Sequence, residues 1–221
     1  MRTPRATAFG SFAFGWQQLW KYFLHLFLIG IIVAVANSPA QIWLGNAEAL
    51  DSAGFIVLNM LIAAYAVLVL PVVSYGGHWM YLRFMRDETP GIAVVFDGFK
   101  KNYLNIILAN LLVLSICGIG LLLLIVPGIF FACRLAFVPY LVMDNGLDPV
   151  AAIEKSWAMT RGHGWRIFGM YLLTIVMVMC GLVLLGVGAL FALMWVGCAF
   201  ASLYHAVDMQ DQARLNQNGN T

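Results

Sequence analysis

Charge is scarce in this chain. Only 10% of its 221 residues are Asp, Glu, Lys or Arg, where soluble domains average about 25%. Apolar residues make up 62%, more than a single globular core of this length can hide. That excludes an ordinary water-soluble fold and points to a bilayer as solvent. A net charge of +2 with no basic stripe excludes nucleic acid as a partner. Carboxylates are missing from every long apolar run, so no intramembrane aspartyl dyad or acidic proton relay can be assembled. Gly-x-Ser-x-Gly, Walker-type loops and His-Glu-x-x-His do not occur, which removes the common catalytic signatures. The chain is therefore expected not to be an enzyme and to need no cofactor. Cys117, Cys133, Cys180 and Cys198 lack Cys-x-x-Cys spacing and a His at ligand spacing, so no metal site is expected. They read as small buried hydrophobes. His25, His78, His163 and His205 are scattered and read as interfacial. No small-residue cleavage site follows a short apolar run, so the first span is expected to stay in the protein.

What is present is a series of apolar runs long enough to span a bilayer, which takes about 20 residues. Six are expected: Trp20 to Ala36, Gly54 to Gly76 with a helical continuation toward Met85, Tyr103 to Leu124, a short one from Pro127 to Met143, Trp165 to Leu185, and Val187 to Val207. The last two are joined by almost nothing, at Gly186 and Gly188, and the third and fourth only by Val126-Pro127-Gly128. Basic residues set the orientation. Arg2, Arg5 and Lys21 precede the first span. Arg83, Arg86, Lys100 and Lys101 lie between the second and third, Lys155, Arg161 and Arg166 between the fourth and fifth, and Arg214 after the sixth. The connection from Asn37 to Ala53 has no base and carries Glu48 and Asp51. Eleven of twelve bases thus share one face, which predicts cytoplasmic N- and C-termini.

The chain also reads as a threefold repeat. Thr3-Pro4, Thr89-Pro90 and Asp148-Pro149 each offer a helix cap followed by proline at the first helical position. Each precedes a short amphipathic stretch: Phe9, Phe12, Trp16 and Leu19; Ile92, Val95, Phe96 and Phe99; Val150, Ile153 and Trp157. Each stretch ends in bases and an aromatic, then enters a span. Trp16, Lys21, Lys100, Lys101, Trp157, Arg161, Trp165 and Arg166 are the expected interfacial anchors. The predicted fold is an all-α polytopic bundle of three parallel hairpins, each preceded by a cytoplasmic interfacial helix. They cover about 3–76, 89–143 and 148–206 of a single transmembrane domain, 1–206. Residues 207–221, rich in Asp, Gln and Asn, are expected to form a disordered polar tail.

Arg134 is the twelfth base, and it falls inside an apolar run. A charge at bilayer depth costs roughly 3 kcal/mol or more on insertion scales, so it needs a partner, a water-filled cavity or a function. Ten residues of helix put it roughly 15 Å from Asp144. Asn110, Asn59 and Thr174 are candidate partners, and Pro139 should free the carbonyl of Leu135 within a kinked, polar pocket. Two readings stay open: an anion or lipid-phosphate site, since guanidinium matches phosphate bidentately, or a staple onto carbonyls and Asn110. Pro71 should kink the second span. Gly188, Ala192, Cys198, Ser202 and Ala206 fit close helix packing within the monomer, with a homo-oligomer as the alternative. Asp97, Asp144, Asp148 and Glu154 read as caps and as partners for neighbouring bases.

The stretch Val126-Pro127-Gly128-Ile129-Phe130-Phe131-Ala132-Cys133-Arg134-Leu135-Ala136-Phe137-Val138-Pro139-Tyr140, with Asp144, Pro149-Val150-Ala151-Ala152-Ile153-Glu154-Lys155-Ser156-Trp157 and Thr160-Arg161-Gly162-His163, resembles a prokaryotic superfamily of six-span proteins. It includes the membrane domain of some glycerophosphodiester phosphodiesterases and stand-alone inner-membrane proteins. The resemblance is clearest over 95–206. It implies a prokaryotic plasma membrane and, in the fused members, a link to phospholipid metabolism. The phosphodiesterase domain itself has no counterpart here. The expected function is non-catalytic: binding or organising membrane lipid, anionic phospholipid included, or scaffolding a membrane enzyme. The alternative is a small transporter or channel for an anionic solute.

Overall fold

A computed structural model describes residues 8–44, 52–183 and 187–218. Among these the chain is all helical. Helices α1 (Ala8–Lys21), α2 (Phe23–Leu44), α3 (Ser52–Leu68) and α4 (Leu70–Met85) come first. A 3-10 turn (Ile92–Phe96) and the short α5 (Gly98–Lys101) lead to α6 (Tyr103–Leu123), α7 (Ile125–Arg134) and α8 (Val138–Asn145). Helices α9 (Pro149–Met159), α10 (Gly164–Val183) and α11 (Val187–Asn218) complete the described chain. Five helices are long and apolar enough to cross a membrane, or six if the pair α1–α2, bent by 100°, is one span. Helices α3 and α6 are apolar on all sides, as helices in hydrocarbon are. Leu61, Leu104, Leu114 and Leu122 stand exposed on them, an outer surface suited to lipid.

Helices α4 and α11 form the centre, and every other long helix leans on one or both. They approach closely at Gly197, where a Cβ would stand 2.9 Å from the Tyr81 ring. Gly76 lets the 3-10 turn reach α4, because a Cβ there would overlap the Val95 carbonyl. Helix α1 lies along α11, with Phe12 and Leu19 buried and Trp195 Nε1 donating to the Phe12 carbonyl at 2.9 Å.

Pro71 lies in the first turn of α4, and the helical bonding is interrupted only locally at Val69, so α3 and α4 run on as one 32-residue element from Gly54 to Met85. At 1.5 Å per residue this is roughly 48 Å, well beyond a hydrocarbon core of about 30 Å. Its far end carries Arg83 and Arg86, so a basic end of the bundle projects past the apolar belt. There Arg86 grips Asp144 of α8 with two parallel bonds of 2.6 and 2.7 Å. Asp208 of α11 lies 3.8 Å away, and Tyr204 Oη donates to Asp144 at 3.4 Å. Arg86 is 26% exposed and Asp144 12%, so this cluster ties the ends of α4 and α8 to α11 with little solvent screening.

Asp87 begins the turn after α4 with φ +59°, a left-handed conformation in which Asp and Asn are the commonest non-glycine residues. Its carboxylate accepts from Lys21 Nζ at 2.6 Å and Gln18 Nε2 at 3.1 Å, which latches α1 to the bundle. These two bonds, Lys21's above all, hold the carboxyl below its ordinary range.

Several expectations change here. The polar segment after Val207 continues α11 to Asn218. Asp208 is buried, paired with Arg86 and bonded to Gln212 at 2.9 Å, so a buried ion pair gives the tail its order. The second short helix is a 3-10 turn capped by Gly91, with Thr89 outside it. Pro149 does open α9 after Asp148, but the Asp148 side chain makes no capping bond. Helix α9 buries Ala152, Ser156, Met159 and Thr160 and leaves Val150 60% exposed, because its inner face meets α6 and α8. Cys180 is exposed. Ala192, Cys198, Ser202 and Ala206 are buried within the monomer. Thr3-Pro4 and Gly186 lie outside the described residues.

Arg86→Gln should destabilise the bundle by about 3 kcal/mol, because it strands a buried carboxylate. Adding Asp144→Asn should restore part of that, readable as detergent-phase melting temperatures of the single and double variants. The Asp87 latch contributes while the carboxyl is ionised and fades as pH falls through its depressed value, below about pH 4. Hydrogen exchange in α1 should rise there. In Asp87→Asn, which keeps the turn, exchange should show no such step. The contribution of so exposed a pair is small.

Candidate functional site

The break between α7 and α8 organises the site. Pro139 has no N–H to give, and its ring disfavours a continuous helix. The backbone turns instead: Leu135 N–H bonds the Phe131 carbonyl at 2.9 Å, and Val138 N–H bonds the Leu135 carbonyl at 3.1 Å. The Leu135 carbonyl, expected to be free, is thereby taken. The orphan is the carbonyl of Arg134, which Val138 would have bonded in an unbroken helix. Ser156 Oγ of α9 donates to it at 2.8 Å, and Thr160 Oγ1 reaches it at 3.4 Å while bonding the Ser156 carbonyl at 2.8 Å.

Arg134 therefore ends α7, and its guanidinium sits among rings. The Phe130 centroid is 5.0 Å away and that of Trp157 5.4 Å, with Phe130 and Phe131 both packed against Trp157. Nε and Nη1 are buried and have no hydrogen-bond partner among the described residues. No Asp or Glu of those residues forms an ion pair with it. Cation–π attraction contributes roughly 0.5–2 kcal/mol. Each unsatisfied buried donor costs about 1–3 kcal/mol, more when charged. The rings offset only part of the burial, and an anion accepting from Nε and Nη1 would supply the remainder. The polar setting expected from across the bundle comes instead from α9, the next helix but one in the chain.

The expected partners are elsewhere. Asn59 bonds the Phe55 carbonyl of its own helix at 2.7 Å. Asn110 and Thr174 line a separate central cavity of about 1010 Å³ between α2, α4, α6, α8, α10 and α11, and Thr174 Oγ1 is already bonded to the Met170 carbonyl at 2.7 Å. Arg134 does not line that cavity. The bundle thus holds a cationic recess near α9 and an uncharged chamber at its centre, where the sequence pointed to one pocket. Among the described residues no Asp, Glu, Lys or Arg lines the chamber. Its wall includes His78 and Tyr140, whose rings meet edge to face at 5.5 Å. His78 Nδ1 lies 2.7 Å from the Ser74 carbonyl, and Tyr140 Oη is buried without a partner among the described residues. His78 belongs to this wall and is not interfacial. Neither residue stood out in sequence, because a lone His or Tyr in an apolar run carries no spacing signal. Trp157 was legible only as an anchor, although Phe130 lies one turn before Arg134 on the same helix face.

The remaining anchors are spread along the outside. Lys100, Lys101 and Arg161 are exposed. Trp165 is exposed and meets Phe168 edge-on, and Arg166 is exposed as well. Trp16 packs against Trp195 and Phe191, and Lys21 serves the Asp87 latch. Among the described residues no group of three or more His, Cys, Asp or Glu could hold a metal.

No solved structure matches the chain. Residues 90–213 match the model of a family described as a domain of unknown function, DUF7847. That stretch runs from the 3-10 turn through most of α11 and includes Arg134, its aromatic cradle, and Asp144 and Asp208 of the ionic cluster. It is more than half of the chain, which therefore belongs to that family.

Proposed function

We propose that this is a non-catalytic integral membrane protein that binds anionic phospholipid, organising lipid or scaffolding a membrane enzyme, with Arg134 as the headgroup contact. One observation carries the reading: a guanidinium held between Phe130 and Trp157, with two buried N–H donors that no described residue accepts. Phosphate oxygens are strong acceptors for a guanidinium, and phospholipid is the anion a bilayer supplies in quantity. Phe130 is 46% exposed and Ile129 39%, so the rim of the recess is apolar and open to acyl chains. An anion transporter would need a charged or broadly polar path, and the central chamber offers no cation among the described residues, which favours the lipid reading.

The same reading puts six spans in a prokaryotic plasma membrane, as the resemblance to the phosphodiesterase-linked superfamily implies. The bent pair α1–α2 counts as the first entry. Three units, each a short helix followed by a hairpin, account for the order of elements. The basic end faces the cytoplasm, because Arg83, Arg86, Lys100, Lys101, Arg161 and Arg166 cluster in the connections there.

Native mass spectrometry of the protein extracted from its membrane should show bound phosphatidylglycerol or a similar anionic lipid. Arg134→Gln should reduce that occupancy about tenfold or more, and excess inorganic phosphate should not displace it. An unchanged lipid load in the variant sinks the proposal, and displacement by phosphate assigns the site to a soluble anion. Reporter fusions at Gly45 and after Asn218 should report opposite compartments.

A further inference from the structure

We infer that the central chamber is a second and separate binding site, for an uncharged amphiphile whose hydroxyl or carbonyl head lies against Tyr140 and Asn110. The absence of charge comes first. Among the described residues none around its roughly 1010 Å³ is Asp, Glu, Lys or Arg, and an ion moved there would find no counter-charge among them for the hydration it loses. Size comes next. Small-molecule sites run from about 300 to 1,000 Å³ and are mostly apolar with a few placed polar groups, and this chamber fits that description. Val113, Met194, Val196 and Phe200 supply the apolar wall.

The polar groups present point to an acceptor on the ligand. Tyr140 is 1% exposed, and its hydroxyl has no partner among the described residues. Asn110 makes no hydrogen bond among them either. Tyr140 Oη is thus a donor in need of an oxygen, as a hydroxyl or carbonyl provides, and the Asn110 amide in the same wall can offer a second bond. Entry is lateral. Ala34 and Asn37 of α2 and Leu193 of α11 line the chamber and are exposed, so its wall is open where these helices meet. A molecule already dissolved in the apolar surroundings can pass between these two helices without crossing water.

The test uses the full chain in detergent, with 1-monooleoylglycerol as the uncharged probe and oleate at pH 8 as its anionic counterpart, both read by native mass spectrometry. Monooleoylglycerol should bind saturably, one molecule per chain, and oleate, read in the Arg134→Gln variant so that the anionic recess does not contribute, at least tenfold more weakly. Tyr140→Phe keeps the ring packing against Tyr204 and His78. Combined with Asn110→Leu it should weaken monooleoylglycerol binding about tenfold, the effect of two lost hydrogen bonds. Ala132→Phe, which puts a ring into the chamber, should weaken it. Arg134→Gln should leave it unchanged, which separates this site from the anionic one. Equal binding of oleate in the Arg134→Gln variant overturns the inference. So does unaltered monooleoylglycerol binding in the Tyr140→Phe, Asn110→Leu variant, or its loss in Arg134→Gln. Melting curves with the parent's midpoint confirm that each variant is folded.

Discussion

A single carbonyl oxygen governs how this bundle is arranged. Because Pro139 interrupts the helix, Arg134 is left with an unbonded C=O in an apolar setting, where such a group costs several kcal/mol. Ser156 and Thr160 of α9 satisfy it. That requirement draws α9 back against α7 and α8, brings Trp157 over the guanidinium, and turns Arg134 away from the bundle axis. On the other side of the break, Pro139 and Tyr140 face the chamber. The cationic recess and the neutral chamber are thus two products of one interruption.

The division of polarity follows the same logic. Ionic contacts among described residues are confined to the basic end, where Arg86 joins α4, α8 and α11 and Lys21 fixes α1 to Asp87. Bonds within the apolar belt are neutral, as in Ser156 to Arg134 or Tyr65 to the Ala36 carbonyl at 2.8 Å. Arg134 is the exception, and aromatic faces rather than carboxylates surround it. An acid beside it would have closed the site. Rings leave its donors open.

Much of the architecture was legible from apolar run length alone: the helices at 54–85, 103–123 and 164–183 stand where the runs do, because nothing competes with helix in a segment that must satisfy its own backbone. Pro71 and Pro139 marked breaks for the same reason. Side-chain direction was not legible. In helices apolar on every side, periodicity has no phase, so Asn110 and Thr174 could be placed by depth but not by facing, and Arg134 was assigned to the wrong neighbours. The order of residues 208–218 was hidden because their composition is polar, while the partner that anchors them, Arg86, lies far earlier in the chain. The aromatic cradle crosses two helices that a linear reading separates by a loop.

The continuity of α11 has a practical side. The hydrophilic stretch beyond Val207 invites trimming before crystallisation or cryo-electron microscopy, as if it were dispensable. The cut would discard Asp208, leave Arg86 with one counter-ion instead of two, and remove the last turns of the rod against which α1, α4 and α10 are seated. Shortened versions of this protein should be chosen to end after Gln212, so that the helix keeps its anchor.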